Sequence, residues 1–235
     1  MTARTSTRTP TPTPTPARHA QPDLSGWLLG HRAMRTEFGR LQELLAGADL
    51  RDARRVAAVE QRLSLMHYLL EHHHQVEDRS IWPFLRAADP AVTALCDDLE
   101  ADHQVLHGLL DEMVDTGRPL RGRAVVLRDL HAELCRHLDR EEGEGKPVIF
   151  DLVPASQWEQ WEMEVRRSTR SKVPSLVPWL IAHLTEQERA EVFGSAPWLL
   201  ELLYRWRWRG RYERGTRLVY GFLPGPIGSL HRPQA

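Results

Sequence analysis

The sequence predicts an all-α protein: an up-down antiparallel four-helix bundle carrying an additional helical C-terminal extension. Three observations predict it. From Leu24 to about residue 150 the apolar residues recur at three- and four-residue intervals, the spacing that lines one face of an α-helix. Turn chemistry cuts this region into four segments with short connections, which favours antiparallel neighbours. No stretch of more than a few residues alternates in the manner of a strand.

Ahead of the bundle, residues 1–22 read MTARTSTRTPTPTPTPARHAQP, with no acidic residue and proline at every second position from 10 to 16. Such a segment has little to bury and is expected to be a disordered tail. The bundle is expected over 23–152 and the extension over 153–235. The first helix, about 24–46, ends near Gly47, and its apolar stripe is Leu24, Leu28, His31, Met34, Phe38, Leu41 and Leu45. The second, about 52–86, is closed by "ADP". Its stripe runs Val59, Leu63, Met66, Leu70, and the next steps land on His73 and Glu77. The neighbouring stripe of Glu60, Ser64, His67, Glu71, His74 and Asp78 is polar throughout and reads as the wet face, while His72 also lies off the core stripe.

Asp89 can cap the third helix, with Pro90 in its first turn, and that helix runs to about 115. Its stripe is Leu95, Leu99, His103, Leu106, Leu110 and Met113, with His107 on the edge. After "TGRPLRG" the fourth helix covers about 123–142, and its stripe Leu127, Leu130, Leu134 continues onto His137 and Glu141. In the extension, Ser156 and Glu159 have capping-box spacing and open a helix to about 171, with shorter helices at about 185–193 and 196–207. That half holds six of the eight tryptophans. Its segment "YRWRWRGRYERG", 204–215, is expected to dock its aromatics on the bundle while the arginines stay solvated.

Composition narrows the function. A formal net charge of −1 over 235 residues gives no reason to expect nucleic acid or acidic lipid as a partner. No apolar run approaches the ~18 residues of a membrane span, and residues 1–22 lack the apolar core of a secretory signal. The chain reads as cytoplasmic, without membrane insertion. Cys96 and Cys135 are too far apart for a CxxC site and sit among leucines, as core cysteines do.

The chemistry lies in the stripes. "HHQVEDRSIWP" and "HLDREEGEGKP" both read H-x3-E-x5-P, so that His73, Glu77 and Pro83 correspond to His137, Glu141 and Pro147. Each half of the bundle is a helical hairpin with a lone histidine, His31 or His103, and an H-x3-E pair. Burying six such groups together is costly without a compensating charge. Facing helices that project His and carboxylate inward are how bundles hold dinuclear metals. Mixed nitrogen and oxygen ligation with open positions suits two non-haem iron ions, and manganese or zinc less well.

At these residues the chain resembles the hemerythrin-like (HHE cation-binding) family, bacterial type with a C-terminal extension. The matching positions are His31, "HHxxED" at 73–78 with "IWP" behind it, His103, and "HLDREE" at 137–142. The resemblance implies a di-iron centre in an up-down bundle, held by His31, His73, Glu77, His103, His137 and Glu141, with Glu77 and Glu141 bridging. His107 keeps the H-x3-H spacing of oxygen carriers and is either a seventh ligand or a neighbour of one. Glu142 stands where those carriers have Asp, which argues against reversible oxygen carriage. Glu142 and Asp78, like His107, are candidates to brace the ligands. The function expected is a non-haem di-iron protein that binds or responds to O2, NO or H2O2, for sensing, scavenging or iron handling. A peroxidase- or catalase-like di-iron enzyme and a metal-free interaction module are the alternatives.

Overall fold

The computed structural model describes residues 19–195 and 198–223, and among them every regular element is helical. Most of the Thr/Pro tail, residues 1–18, lies outside that range. Helix α1 spans Ser25–Gly47. Helix α2 (Ala53–Val76) passes through a π-turn at Glu77–Ile81 into α3 (Trp82–Ala88) without leaving helical backbone. Helix α4 spans Thr93–Val114, and α5 (Ala124–Arg140) passes through a second π-turn, Glu141–Gly145, into α6 (Lys146–Leu152). Around the bundle α1 packs on α2 and α5, and α4 closes the square against the same two.

The helix starts are local chemistry. Asp52 accepts from the Arg54 amide at the start of α2, and Asp89 accepts from the Ala91 amide at 2.9 Å, capping the 3-10 turn Pro90–Val92 that leads into α4. The fourth segment continues ten residues past its expected end near 142, as far as Leu152. Glycines and Pro147 in "EEGEGKP" look like breakers. The π-turn absorbs them: the Lys146 amide bonds to the Glu141 carbonyl five residues back, and Pro147 enters α6 in its first turn, where its missing N–H costs little. Pro83 follows the first π-turn in the same way, with the Trp82 amide on the Glu77 carbonyl. The H-x3-E-x5-P repeat therefore encodes a backbone device, and its glutamate opens the π-turn in both halves.

Two apolar clusters fill the bundle. One gathers Phe38, Leu63, Leu70, Leu106, Leu110, Leu127 and Leu134. The other gathers Leu24, Ile81, Trp82, Leu85, Leu99, Ile149 and Trp158. The buried histidines His31, His74, His103 and His137, with Glu77 and Glu141, fall near the junction of the two, so the candidate site is a polar layer with apolar packing on both sides.

The extension contains α7 (Ala155–Ser168), α8 (Val173–Ala182), α9 (Glu186–Ser195), α10 (Trp198–Leu203), a π-turn at Tyr204–Trp208 and α11 (Arg209–Tyr220). Pro154, with extended backbone, precedes α7, and Ser156 sits inside the first turn, so the expected capping box does not form. A reciprocal one forms at α9 instead: Thr185 Oγ1 accepts from the Glu188 amide and Glu188 accepts from the Thr185 amide. Helix α8, hidden in the sequence by Pro174 and Pro178, buries Trp179.

A buried polar knot ties the extension to the bundle. Glu37 of α1 pairs with Arg62 of α2, the Tyr220 hydroxyl donates to Glu37 at 2.9 Å, and Arg62 donates to Thr216 at 3.1 Å. Arg62 also lies over the Tyr212 ring, 5.1 Å from its centroid. Docking of the aromatics is thus only half right. Tyr204, Trp208 and Tyr212 are half-buried, but Trp206 is 84% exposed, because the π-turn places it on the outer side with the arginines. Among the described residues no helix is long and apolar enough to cross a membrane.

Candidate metal centre

Seven side chains from the four long helices converge in the polar layer as two adjoining groups. His31, His73, Glu77 and Glu141 form one, and His74, His103 and His137 form the other. Within each, one ligand atom per residue lies within 4.8 Å of all the others. The Nε2 atoms of His31 and His73 stand 3.0 Å apart.

The carboxylates join the groups. Glu77 puts Oε1 3.1 Å from His73 Nε2 and Oε2 3.7 Å from His103 Nε2. Glu141 Oε2 lies 3.4 Å from His31 Nε2 and 3.7 Å from His137 Nε2. Each carboxylate thus faces an imidazole of both groups. The π-turns contribute to this. Each widened turn begins at a glutamate, one helical turn beyond His73 or His137, so the histidine and the carboxylate both reach the bundle axis.

The donor set fits a cation. Nε2 of His74, His103 and His137, Oε2 of Glu77 and both oxygens of Glu141 are buried without a hydrogen-bond partner. Orphaned polar atoms of this number are rare in a folded interior. Burial pushes the Glu141 carboxyl well up, with the neighbouring Glu77 charge adding to it, and burial raises Glu77 to about 7. Burial first, then the other imidazoles, pushes His73 and His74 well down and His137 to about 3. His73, His74 and His137 are therefore held neutral, the form that binds metals, and two crowded carboxylates face a space that rewards positive charge.

A family model for the hemerythrin HHE cation-binding domain matches residues 24–149, just over half of the chain. The chain belongs to that family. Hemerythrin HHE domains bind metal ions, and the two His/Glu groups lie within the matched span. The comparisons with curated proteins and with solved structures return no match.

Within this HHE domain, the residues behind the clusters are regularly arranged. The His31 Nδ1–H donates to Glu142 at 3.0 Å, and His103 Nδ1 lies 2.7 Å from Asp78. In both halves, then, the residue after the inward glutamate reaches a histidine of the neighbouring helix. Burial pushes the Glu142 carboxyl up, but hydrogen bonds from His31 and Arg35 outweigh it and hold it at about 2. Asp102, itself clamped by Arg136 and Arg140, backs His137 Nδ1 at 3.6 Å. Trp27 Nε1 donates to Glu77 Oε1 at 2.9 Å.

The six residues singled out on the apolar stripes all lie in the clusters. His107 does not: its Nε2 lies 3.3 Å from His74 Nδ1 and 3.3 Å from Glu71. His74 overturns the assignment of its stripe to the wet face, being fully buried, whereas the side chain of His73 is 17% exposed. From Leu70, steps of three and four both stay within the ~100° face that a core-facing helix buries, so both histidines point inward. Following one path of steps selected His73 alone. The doublet itself was the available signal, together with the absence of a second histidine at Leu138 in the other half.

Proposed function

We propose that this chain holds a dinuclear non-haem iron centre that binds or responds to a small oxidant or diatomic, O2, NO or H2O2. His31 and His73 would hold one iron, His74, His103 and His137 the other, and Glu77 and Glu141 would bridge them. The carrying observation is that each carboxylate faces imidazoles of both groups while the buried ligand atoms lack other partners. Iron in mixed imidazole and carboxylate ligation supplies inner-sphere coordination and one-electron steps to such a molecule.

The protein's own part is positioning. Glu142 and Asp78 fix the tautomers of His31 and His103, so that Nε2 of each presents its lone pair to the centre. His107 does the same service behind His74. Trp27 holds Glu77 Oε1, which keeps that carboxylate turned across the two groups. With two imidazoles in one group against three in the other, a metal on the His31/His73 side would keep the more open position, which suits a reactive site. Sensing, scavenging and iron handling all begin with this coordination.

Protein purified from iron-supplied cells is expected to carry about two irons per chain and a visible absorption that changes on exposure to air or peroxide. Both are expected to be lost in His137→Ala. A colourless, metal-free parent whose stability is unchanged by that substitution would instead make the bundle a metal-free interaction module.

A further inference from the structure

The extension does more than abut the bundle. Where α7 and α8 cross α1 and α2 they leave a half-open pocket of about 390 Å³. Its inner wall includes His73 and Glu77, so it reaches the His31/His73 group. A wider cleft of about 640 Å³, between α2 and α11, holds none of the clustered residues.

Four features of the smaller pocket point to a ligand. Its size is that of a site for an organic molecule, far beyond what O2, NO or H2O2 requires. Four tryptophans line it, Trp27, Trp158, Trp161 and Trp179, and they come from both the bundle and the extension. Three of them, Trp158, Trp161 and Trp179, are themselves buried, so the faces they turn to the pocket are fixed by packing. Finally, α1 carries glycine at 26 and 30, one turn apart on the pocket wall, and a Cβ built on Gly30 meets nothing within 4 Å. Glycine inside a helix is less stable than alanine, and here it leaves the α1 wall of the pocket open.

We propose that this pocket binds an organic molecule with an aromatic or branched alkyl body and a single oxygen function, seated beside the His31/His73 position. The apolar walls would take the body, and the oxygen would lie towards His73 and Glu77 on the wall nearest the cluster. This deepens the metal-centre reading, on which its functional sense rests, since it sets the size and polarity of what the more open side admits. An apolar pocket of this volume favours molecules that lose little on leaving water.

The test is a titration of the full-length protein, as purified, with cumyl alcohol, a redox-inert member of the class. It is followed by quenching of tryptophan fluorescence and by calorimetry. Saturable one-to-one binding is expected, weakened at least tenfold in Gly30→Leu, which fills the pocket from α1. Val165→Phe, on the opposite wall in α7, is expected to weaken it likewise, and serves if Gly30→Leu fails to fold. Binding that is absent in the parent, or unchanged in both filling variants with intact circular dichroism, overturns the pocket. Metal content measured on the same samples separates the two readings. A metal-loaded protein that binds no cumyl alcohol removes the pocket alone, and a metal-free protein that binds it removes the iron centre alone.

Discussion

The Glu37–Arg62 knot makes the stability of the fold sensitive to acid. Burial pushes the Glu37 carboxyl up, but the Arg62 guanidinium, with His183 and Tyr220, outweighs it and holds it at about 2 against an ordinary 4.5. Arg62 is raised by the same pairing despite its burial, so the two partners agree in direction. A carboxyl depressed in the folded state contributes stability that is present above its unfolded value and is lost as pH falls towards the folded one. That depression is worth roughly 3.4 kcal/mol at neutral pH, of which about 1.4 is gone by about pH 3.5. In Glu37→Gln that titration is absent and Arg62 is left with a buried charge, a change of about 3–5 kcal/mol. Urea unfolding of parent and variant across pH 7 to 3.5 reads the difference directly, because the other acid-sensitive groups are common to both. The gap should be a few kcal/mol at pH 7, constant down to about pH 5, and narrower by about 1.4 kcal/mol at pH 3.5. A gap that stays constant to pH 3.5, or that widens on acidification, would refute the pairing as drawn.

Other substitutions separate roles that lie close together. His74→Ala should lose about half of the bound metal by elemental analysis, whereas His107→Ala should keep both metals with affinity lowered by about 10–100-fold, the usual cost of losing a group that braces a ligand. Glu142→Gln should weaken metal binding by a similar ~10–100-fold in competition with a chelator, because His31 loses its charged acceptor. Tyr220→Phe removes a hydroxyl that donates to the buried Glu37 carboxylate, and should cost roughly 1.5–3 kcal/mol in chemical unfolding with the metal content unchanged.

Much of the bundle could be read from the chain because apolar residues at helical spacing determine which faces bury. His31, His103, His137 and Glu141 sit in line with leucines and could be placed by counting steps. His74 could not, since steps of three and four from Leu70 give two answers and only packing shows that both residues turn inward. The π-turns were equally hidden: they arise from competition between Pro83 or Pro147 and the hydrogen-bond ladder, whereas periodicity assumes a uniform pitch. Arg62 and Glu37 lie beside apolar stripes as ordinary charged residues, and each is buried only because the other, with Tyr220 from a segment 158 residues further on than Arg62, closes over it. The extension was least readable. Pro178 within α8 and the outward turn of Trp206 both follow from contacts that no local pattern encodes.

Anomalous diffraction at the iron edge, from crystals of the protein purified with its metal, examines the ligand set itself. Two iron peaks per chain are expected, one against His31 and His73 and the other among His74, His103 and His137, with Glu77 and Glu141 touching both. A single peak, or a peak ligated by His107 in place of His74, would contradict the assignment.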